Sequence, residues 1–210
     1  MTGLFVVFEG ADGTGKSTQV SAVSAALRAA GRDVVVTREP GGSVVAEKLR
    51  SLVLDPAHEI TPITEALIFA AARADHIDKT IAPALAVGQI VISDRFVGSS
   101  IAYQSAGRGL NQETIVRINA YATNGLTPDV TVVLDLDESV AGRRRVERAE
   151  LTDRMESAPE GFQDAVRASF LAQAQAAPER HLVVDAAQTP EAITDQIVTH
   201  LSTKYGVSVS

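Results

Sequence analysis

Lys16 and Ser17 stand near the end of a glycine-rich run, Gly10-Ala11-Asp12-Gly13-Thr14-Gly15-Lys16-Ser17-Thr18. The run fits the phosphate-loop pattern G-x-x-x-x-G-K-[ST], in which each fixed position has a physical task. Gly10, Gly13 and Gly15 let the backbone turn tightly, so that successive N–H groups face one concavity and form an anion nest. Lys16 would reach the β- and γ-phosphates, and the Ser17 hydroxyl would sit on a metal ion. An ordinary glycine-rich turn would carry the same glycines without that chemistry, so the neighbouring elements decide between the two.

Those neighbours are a strand and a helix. Leu4 to Phe8 is a short apolar run of the kind buried in a parallel sheet. Ser17 to Ala30 is rich in Ala and Val and free of Gly and Pro, and Gly31 supplies a stop. Strand, glycine loop and helix is the context the motif requires, and it points to nucleoside triphosphate binding.

Further along, each predicted strand ends in residues able to act on phosphate. Asp33 to Thr37 reads as a second strand, followed by Arg38-Glu39-Pro40-Gly41-Gly42, a loop of special conformation. Ligands of open α/β sheets bind at that carboxyl edge. Arg38 is therefore either a phosphate contact or a solvated turn arginine. Gln89 to Asp94 and Val130 to Asp135 are two more apolar strands, each ending in a carboxylate. Either Asp could hold a metal ion. Asp94 is preferred because Arg95 beside it offers a cation to the transferring phosphate, and Asp135 is read as a strand-end or helix-capping carboxylate.

Helices are expected from Ser43 to Leu54 and from Thr61, with Pro62 in its first turn, to about Ala86. Phe69 and Arg73 lie four apart and share a face. They would suit a flat ligand, one stacking and one hydrogen-bonding, or they are a core ring beside a surface cation. Phe96 to Asn124 contains Ser99 to Gln104 and Gly107-Arg108-Gly109, either a tight turn presenting the guanidinium or a solvated loop, with helix from Asn111. Glu138 to Arg154 holds Arg143, Arg144, Arg145, Arg148 and Arg154 and no lysine. Such a run is either a solvated helix face or, in an acidic protein with a phosphate site, a mobile clamp. Pro159 to Ala177 and Pro190 to Lys204 read as helices on either side of a fifth strand, His181 to Asp185. Five strands alternating with helices make an α/β fold, a parallel sheet covered on both faces.

Composition bounds the rest. The 210 residues, 45% apolar and 21% charged, suit one domain. A net charge of −7 argues against nucleic acid or an anionic membrane as partner. No cysteine is present, which removes disulfides, thiolate metal sites and cysteine nucleophiles. His58, His76, His181 and His200 form no metal-ligand pair at helical spacing. Nothing at the start resembles a leader, so a soluble, cytoplasmic protein is expected.

Taken in order from Phe5 to about Thr199, the chain resembles the thymidylate kinase family. The similarity rests on Glu9 to Thr18, Arg38 to Gly42, the Glu65 to Arg73 helix, Asp94-Arg95, Tyr103-Gln104 and Gly107 to Gly109. The resemblance implies a single P-loop NTPase domain, a three-layer sandwich over residues 1–210, with an arginine-rich lid at about 141–156. It implies transfer of the ATP γ-phosphate to dTMP, with Mg²⁺ held by Ser17 and Asp94, and a homodimer joined through helix faces.

The family also implies roles. The loop from Gly10 to Thr18, including Ala11 and Thr14, binds ATP. Asp12 meets the sugar 3′-hydroxyl, and Arg38 and Arg95 contact the monophosphate. Phe69 stacks on thymine, Arg73 bonds it, and Ser100, Tyr103 and Gln104 neighbour base and sugar, with Tyr103 crowding a 2′-hydroxyl. Lys16, Arg95, Arg148 and Arg154 are the expected catalytic cations. Position 13 is arginine in one branch of the family; the branch with glycine carries its arginines in the lid. Leu151 to Arg154 is one residue longer than the bacterial pattern, and Phe96 and Ser100 stand where Tyr or His, and Thr or Asn, are more usual. The rivals are a kinase for another nucleotide and a nucleotide-dependent switch, although the guanine-reading N-K-x-D element is absent.

Overall fold

A computed structural model describes residues 3–147 and 161–207. Five parallel strands, β1 (Leu4–Glu9), β2 (Val34–Arg38), β3 (Ile90–Asp94), β4 (Val130–Asp135) and β5 (His181–Asp185), form one sheet in the order β2-β3-β1-β4-β5. The α/β reading of the sequence is borne out, strand for strand. Phe8 pairs in register with Asp94, and Arg38 pairs with Asp94 from the other side. The carboxyl ends of β2, β3 and β1 therefore finish at one level, where the three functional loops begin.

Helices α1 (Lys16–Ala29) and α9 (Pro190–Tyr205) cover one face. Val20, Val23 and Leu27 from α1 meet Ile193, Ile197 and Leu201 from α9 over Val6, Phe8 and Ile92. On the other face Phe5, Val7 and Val91 pack against Ile77, Ile81 and Phe96. Val133 there packs with Phe162, Val166 and Phe170 of α8 (Phe162–Ala176).

Local chemistry sets the helix starts. Ser43 accepts from Ala46 N to cap α2 (Val44–Leu54), and Thr61 accepts from Thr64 N to cap α3 (Pro62–His76), with Pro62 in the first turn. The helix from Thr61 does run on to Ala86, but through a wide π-helical turn, Ile77–Ile81, into α4 (Ala82–Ala86). Val97 to Gly107, a stretch given no secondary structure from sequence, is helical: α5 (Val97–Ser100) passes into a second π-helical stretch, Ile101–Gly107. Its cap is not local. It comes from β1, which no sequence window across this stretch contains. Asn111 then caps α6 (Gln112–Thr123). Helix α7 (Glu138–Glu147) opens the basic run, and Arg148, Arg154 and the remainder of the expected lid lie outside the described residues. No helix among the described residues is long and apolar enough to cross a membrane.

Candidate active site

The loop after β1 turns as its pattern predicts. Gly10, Gly13 and Gly15 have φ of 143°, 88° and 90°, and Gly15 opens α1. Lys16 is buried within the loop and donates to the carbonyls of Gly10 at 3.0 Å and Ala11 at 2.8 Å. Burial, followed by the field of Arg95, lowers the Lys16 ammonium from its usual value to about 8. Ser17 Oγ donates to Asp94 Oδ2 at 2.9 Å across the gap between β1 and β3. Asp135 instead pairs with Arg167 Nε at 2.6 Å at the end of β4, and the capping carboxylate of α7 is Asp137. The preference for Asp94 over Asp135 is consistent with both contacts.

Arg95 is a strained point. Its φ of 74° is rare for a side-chain-bearing residue. The turn is held by Arg95 N donating to Phe8 O at 2.9 Å and Ser93 Oγ donating to Arg95 O at 2.8 Å. The guanidinium then lies over the Tyr103 ring, 4.9 Å from its centroid, and donates to Asp12 Oδ1 at 2.5 Å. Tyr103 OH donates to Asp12 Oδ2 at 2.8 Å. Burial would raise the Asp12 carboxyl, but the cations of Arg95 and Lys16 and the Tyr103 hydrogen bond hold it at about 2. Burial opposes the charge on Arg95; Tyr103, Asp12 and Asp94 outweigh it and hold the guanidinium above its ordinary range.

One cleft of about 390 Å³ joins these groups to the residues expected to read a base. Asp12, Gly13, Gly15, Lys16, Ser17, Thr18 and Asp94 line it together with Arg38, Phe69, Arg73, Arg95, Ser100, Tyr103 and Gln104. Gly10, Ala11 and Thr14 lie behind the loop, where Thr14 Oγ1 donates to Ala11 O at 3.0 Å. Arg38 is exposed, with Glu47 at 3.3 Å. Phe69 is half-buried, as a stacking platform requires.

Arg73 departs from the picture of a guanidinium on the surface. It is buried, donating to Glu39 Oε2 from Nε at 2.7 Å, to Ser100 Oγ at 3.0 Å, to Phe96 O at 2.9 Å and to Asn119 Oδ1. Glu39 also bonds His76, whose other ring nitrogen meets Thr37 Oγ1 at 2.6 Å. Sequence reasoning assigned no role to Glu39, His76 or Asn119, because their partners in this network are 34 to 46 positions away in the chain and fall on no shared period. Gln104 is fixed by Nε2 donating to Glu65 Oε1 at 2.9 Å. Arg108 also reaches Glu65, and its guanidinium covers the Phe162 ring, so the Gly107 to Gly109 turn folds inward.

In the described part of the basic run, Arg145 reaches the phosphate loop, donating to Asp12 O at 2.8 Å. It pairs with Glu138 one helical stretch earlier. A Cβ on Gly13 would stand 2.5 Å from Ala141 O, so α7 rests directly on the glycine.

The comparisons with known proteins agree with this geometry. A family description, thymidylate kinase, matches residues 8–197. A thymidylate kinase of Bifidobacterium longum subsp. infantis is 49% identical over 97% of this chain and 88% of its own length. One from Cereibacter sphaeroides is 48% identical over 91% of this chain and 90% of its own. The crystal structure of thymidylate kinase from Ehrlichia chaffeensis superposes with a TM-score of 0.76 at 30% identity, covering 96% of this chain and 99% of that one. With a phosphate loop facing a base-sized cleft, and relatives alike over nearly their full lengths, the chain belongs to the thymidylate kinase family.

Proposed function

We propose that the cleft carries out ATP + dTMP → ADP + dTDP by direct in-line transfer, with the residue roles that follow. An enzyme of this family phosphorylates dTMP at the expense of ATP; the assignment of each residue is our reading of the geometry. The observation that carries it is the single cleft shared by the phosphate loop and by Arg38, Phe69, Arg73 and Arg95.

The dTMP phosphate is already anionic at neutral pH, so its oxygen attacks without a general base. Catalysis is positioning plus charge neutralisation. Lys16 and Arg95, which both donate to Gly10 O, offer their charge to the transferring phosphate, and Arg148 and Arg154 in the lid are the remaining cations. Asp12, ionised and anchored by Arg95 and Tyr103, accepts from the sugar 3′-hydroxyl. Arg38 holds the acceptor phosphate, Phe69 stacks on the base, and Ser100 and Gln104 border it. Gly10 to Thr18 cradles the ATP phosphates, and a lid at about 141–156 closes over the single domain to exclude water.

Ser17 and Asp94 present a hydroxyl and a carboxylate, hard oxygen donors suited to Mg²⁺ bound mostly by nucleotide phosphates and water. That fits the absence, among the described residues, of any cluster of three metal-ligating side chains. Held by Ser17 and Asp94, Mg²⁺ would supply neutralisation of the nucleotide's phosphate charge. Ile63, Leu67, Ala71 and Ala74 form an exposed apolar stripe on α3 beside exposed Val44, Val45 and Leu52 of α2. This stripe supports the homodimer reading, with the small alanines permitting close approach. A soluble cytoplasmic location accords with the reading.

The test is coupled ADP release with Mg-ATP and dTMP, dUMP, dCMP, dGMP, UMP or no acceptor. Turnover with dTMP, with dUMP trailing, is expected. Turnover with another acceptor alone would remove the base assignments, and ATP binding without acceptor-dependent release would favour a switch.

A further inference from the structure

Glu9 ends β1, is 1% exposed, and takes no part in the reaction as described above. Three donors converge on its carboxylate. Oε1 accepts from Phe96 N and Ser99 N, both at 2.9 Å, and Oε2 accepts from Ser99 Oγ at 2.6 Å. These bonds cap the turn that leads from the strained Arg95 into α5. The approach is close enough that a Cβ on Gly98 would stand 2.9 Å from Oε1. A second, mostly apolar cavity of about 390 Å³ backs the carboxylate, with Val7, Phe96 and Phe170 in its wall. Burial pushes the Glu9 carboxyl up, while Arg95 and the hydrogen bonds pull it down.

Ser99 has one hydroxyl hydrogen, and Glu9 takes it. The oxygen therefore turns a lone pair toward Arg95, whose Nη1 donates to Ser99 Oγ at 3.0 Å. We propose that Glu9 is a positioning residue: by fixing the direction of the Ser99 proton it keeps an acceptor facing Arg95 and so aims the guanidinium at the acceptor phosphate. The proposal rests on the reading of Arg95 given above.

Glutamine at position 9 is nearly isosteric but reverses the relay. Its carbonyl oxygen can still take the two backbone N–H groups, so its amide then donates to Ser99 Oγ. The Ser99 proton must turn away, into competition with the Arg95 N–H. Glu9→Gln should lower kcat with dTMP by on the order of tenfold to 100-fold while leaving the KM for ATP within about twofold. Ser99→Ala, which only removes the acceptor, should cost less. The double variant should match Ser99→Ala alone, because no hydroxyl remains to reverse.

Independent losses that multiply in the double variant, or a wild-type kcat in Glu9→Gln, would overturn the proposal. Should Glu9→Gln fail to fold, Ser99→Ala decides: an unchanged kcat sinks the relay. A readout separate from turnover is the ¹⁵N side-chain NMR signal of Arg95, identified by its loss in Arg95→Lys. Slow, resolved guanidinium rotation is expected in the wild type and averaged signals in Ser99→Ala; identical spectra would reject the relay. Absence of dTMP phosphorylation by the wild type defeats the reading of the site instead, and the Arg95 spectra then judge the relay alone.

Discussion

Ser17 Oγ donates to Asp94 Oδ2 at 2.9 Å, joining the first turn of α1 to the end of β3. The parallel register that sets Phe8 against Asp94 makes the contact possible, since the phosphate loop leaves β1 one residue later, after Glu9. The two oxygens are close enough to share one cation. Asp94→Asn keeps the size and removes the charge, so kcat should fall by on the order of 10²–10³. Added Mg²⁺ should recover part of the loss. A variant with normal kcat whose Mg²⁺ dependence matches the wild type would detach Asp94 from the metal.

Much of this arrangement is legible in the amino-acid sequence. The five strands announce themselves as apolar runs, and Lys16, Ser17 and Asp94 follow from a local pattern at the end of a strand. The helical nature of Val97 to Gly107 was not legible, because Glu9 caps its first turn from 87 to 90 positions earlier. The same distance hid the network around Arg73. Periodicity put Arg73 on a face with Phe69, but only packing shows that Glu39, Ser100 and Asn119 enclose it. Arg145 was one of several arginines until α7 was laid against Gly13.

Lys16 should give the enzyme an alkaline limit. Its buried ammonium loses its proton at about 8 in the ligand-free protein, far below an exposed lysine. Only the protonated form attracts the ATP phosphates. As pH rises through about 8 the charge is lost, so kcat/KM for ATP should fall between about pH 7 and 10. A profile flat across that range would show that Lys16 stays charged. Lys16→Ala should nearly abolish turnover at every pH.

Gly13 serves two demands at once, a φ of 88° and contact with α7. Gly13→Ala would place a methyl group 2.5 Å from the Ala141 carbonyl. Backbone on both sides cannot yield cheaply, so α7 should be displaced and Arg145 drawn off Asp12 O. A lowered melting temperature together with a reduced kcat is expected. Wild-type values of both would mean that α7 does not need its seat on the loop.

Phe69 is half-buried on the cleft wall, whereas its neighbours Ala66 and Ala70 are buried within the fold. Phe69→Ala should therefore raise the KM for dTMP more than it lowers stability. A lost stacking contact of about 1–3 kcal/mol corresponds to a rise of roughly fivefold to 150-fold. An unchanged KM with a lowered melting temperature would return the ring to the core.

Tyr103 separates two roles that a pair of variants can resolve. Its ring is fixed edge-on by Phe162 and Phe170, at 6.0 and 6.4 Å between centroids, so it cannot swing aside for a bulkier sugar. Its hydroxyl holds Asp12, which orients the carboxylate. Tyr103→Phe keeps the ring and should retain the preference for deoxyribose while losing rate through a loosened Asp12. Tyr103→Ala opens the space and should narrow the ratio of kcat/KM between dTMP and its ribonucleotide counterpart. The rigidity of the ring makes a steric gate the expected source of that ratio, because a mobile ring would yield to a single hydroxyl at small cost. If both variants kept the wild-type ratio, discrimination would reside elsewhere in the cleft and Tyr103 would act through Asp12 alone.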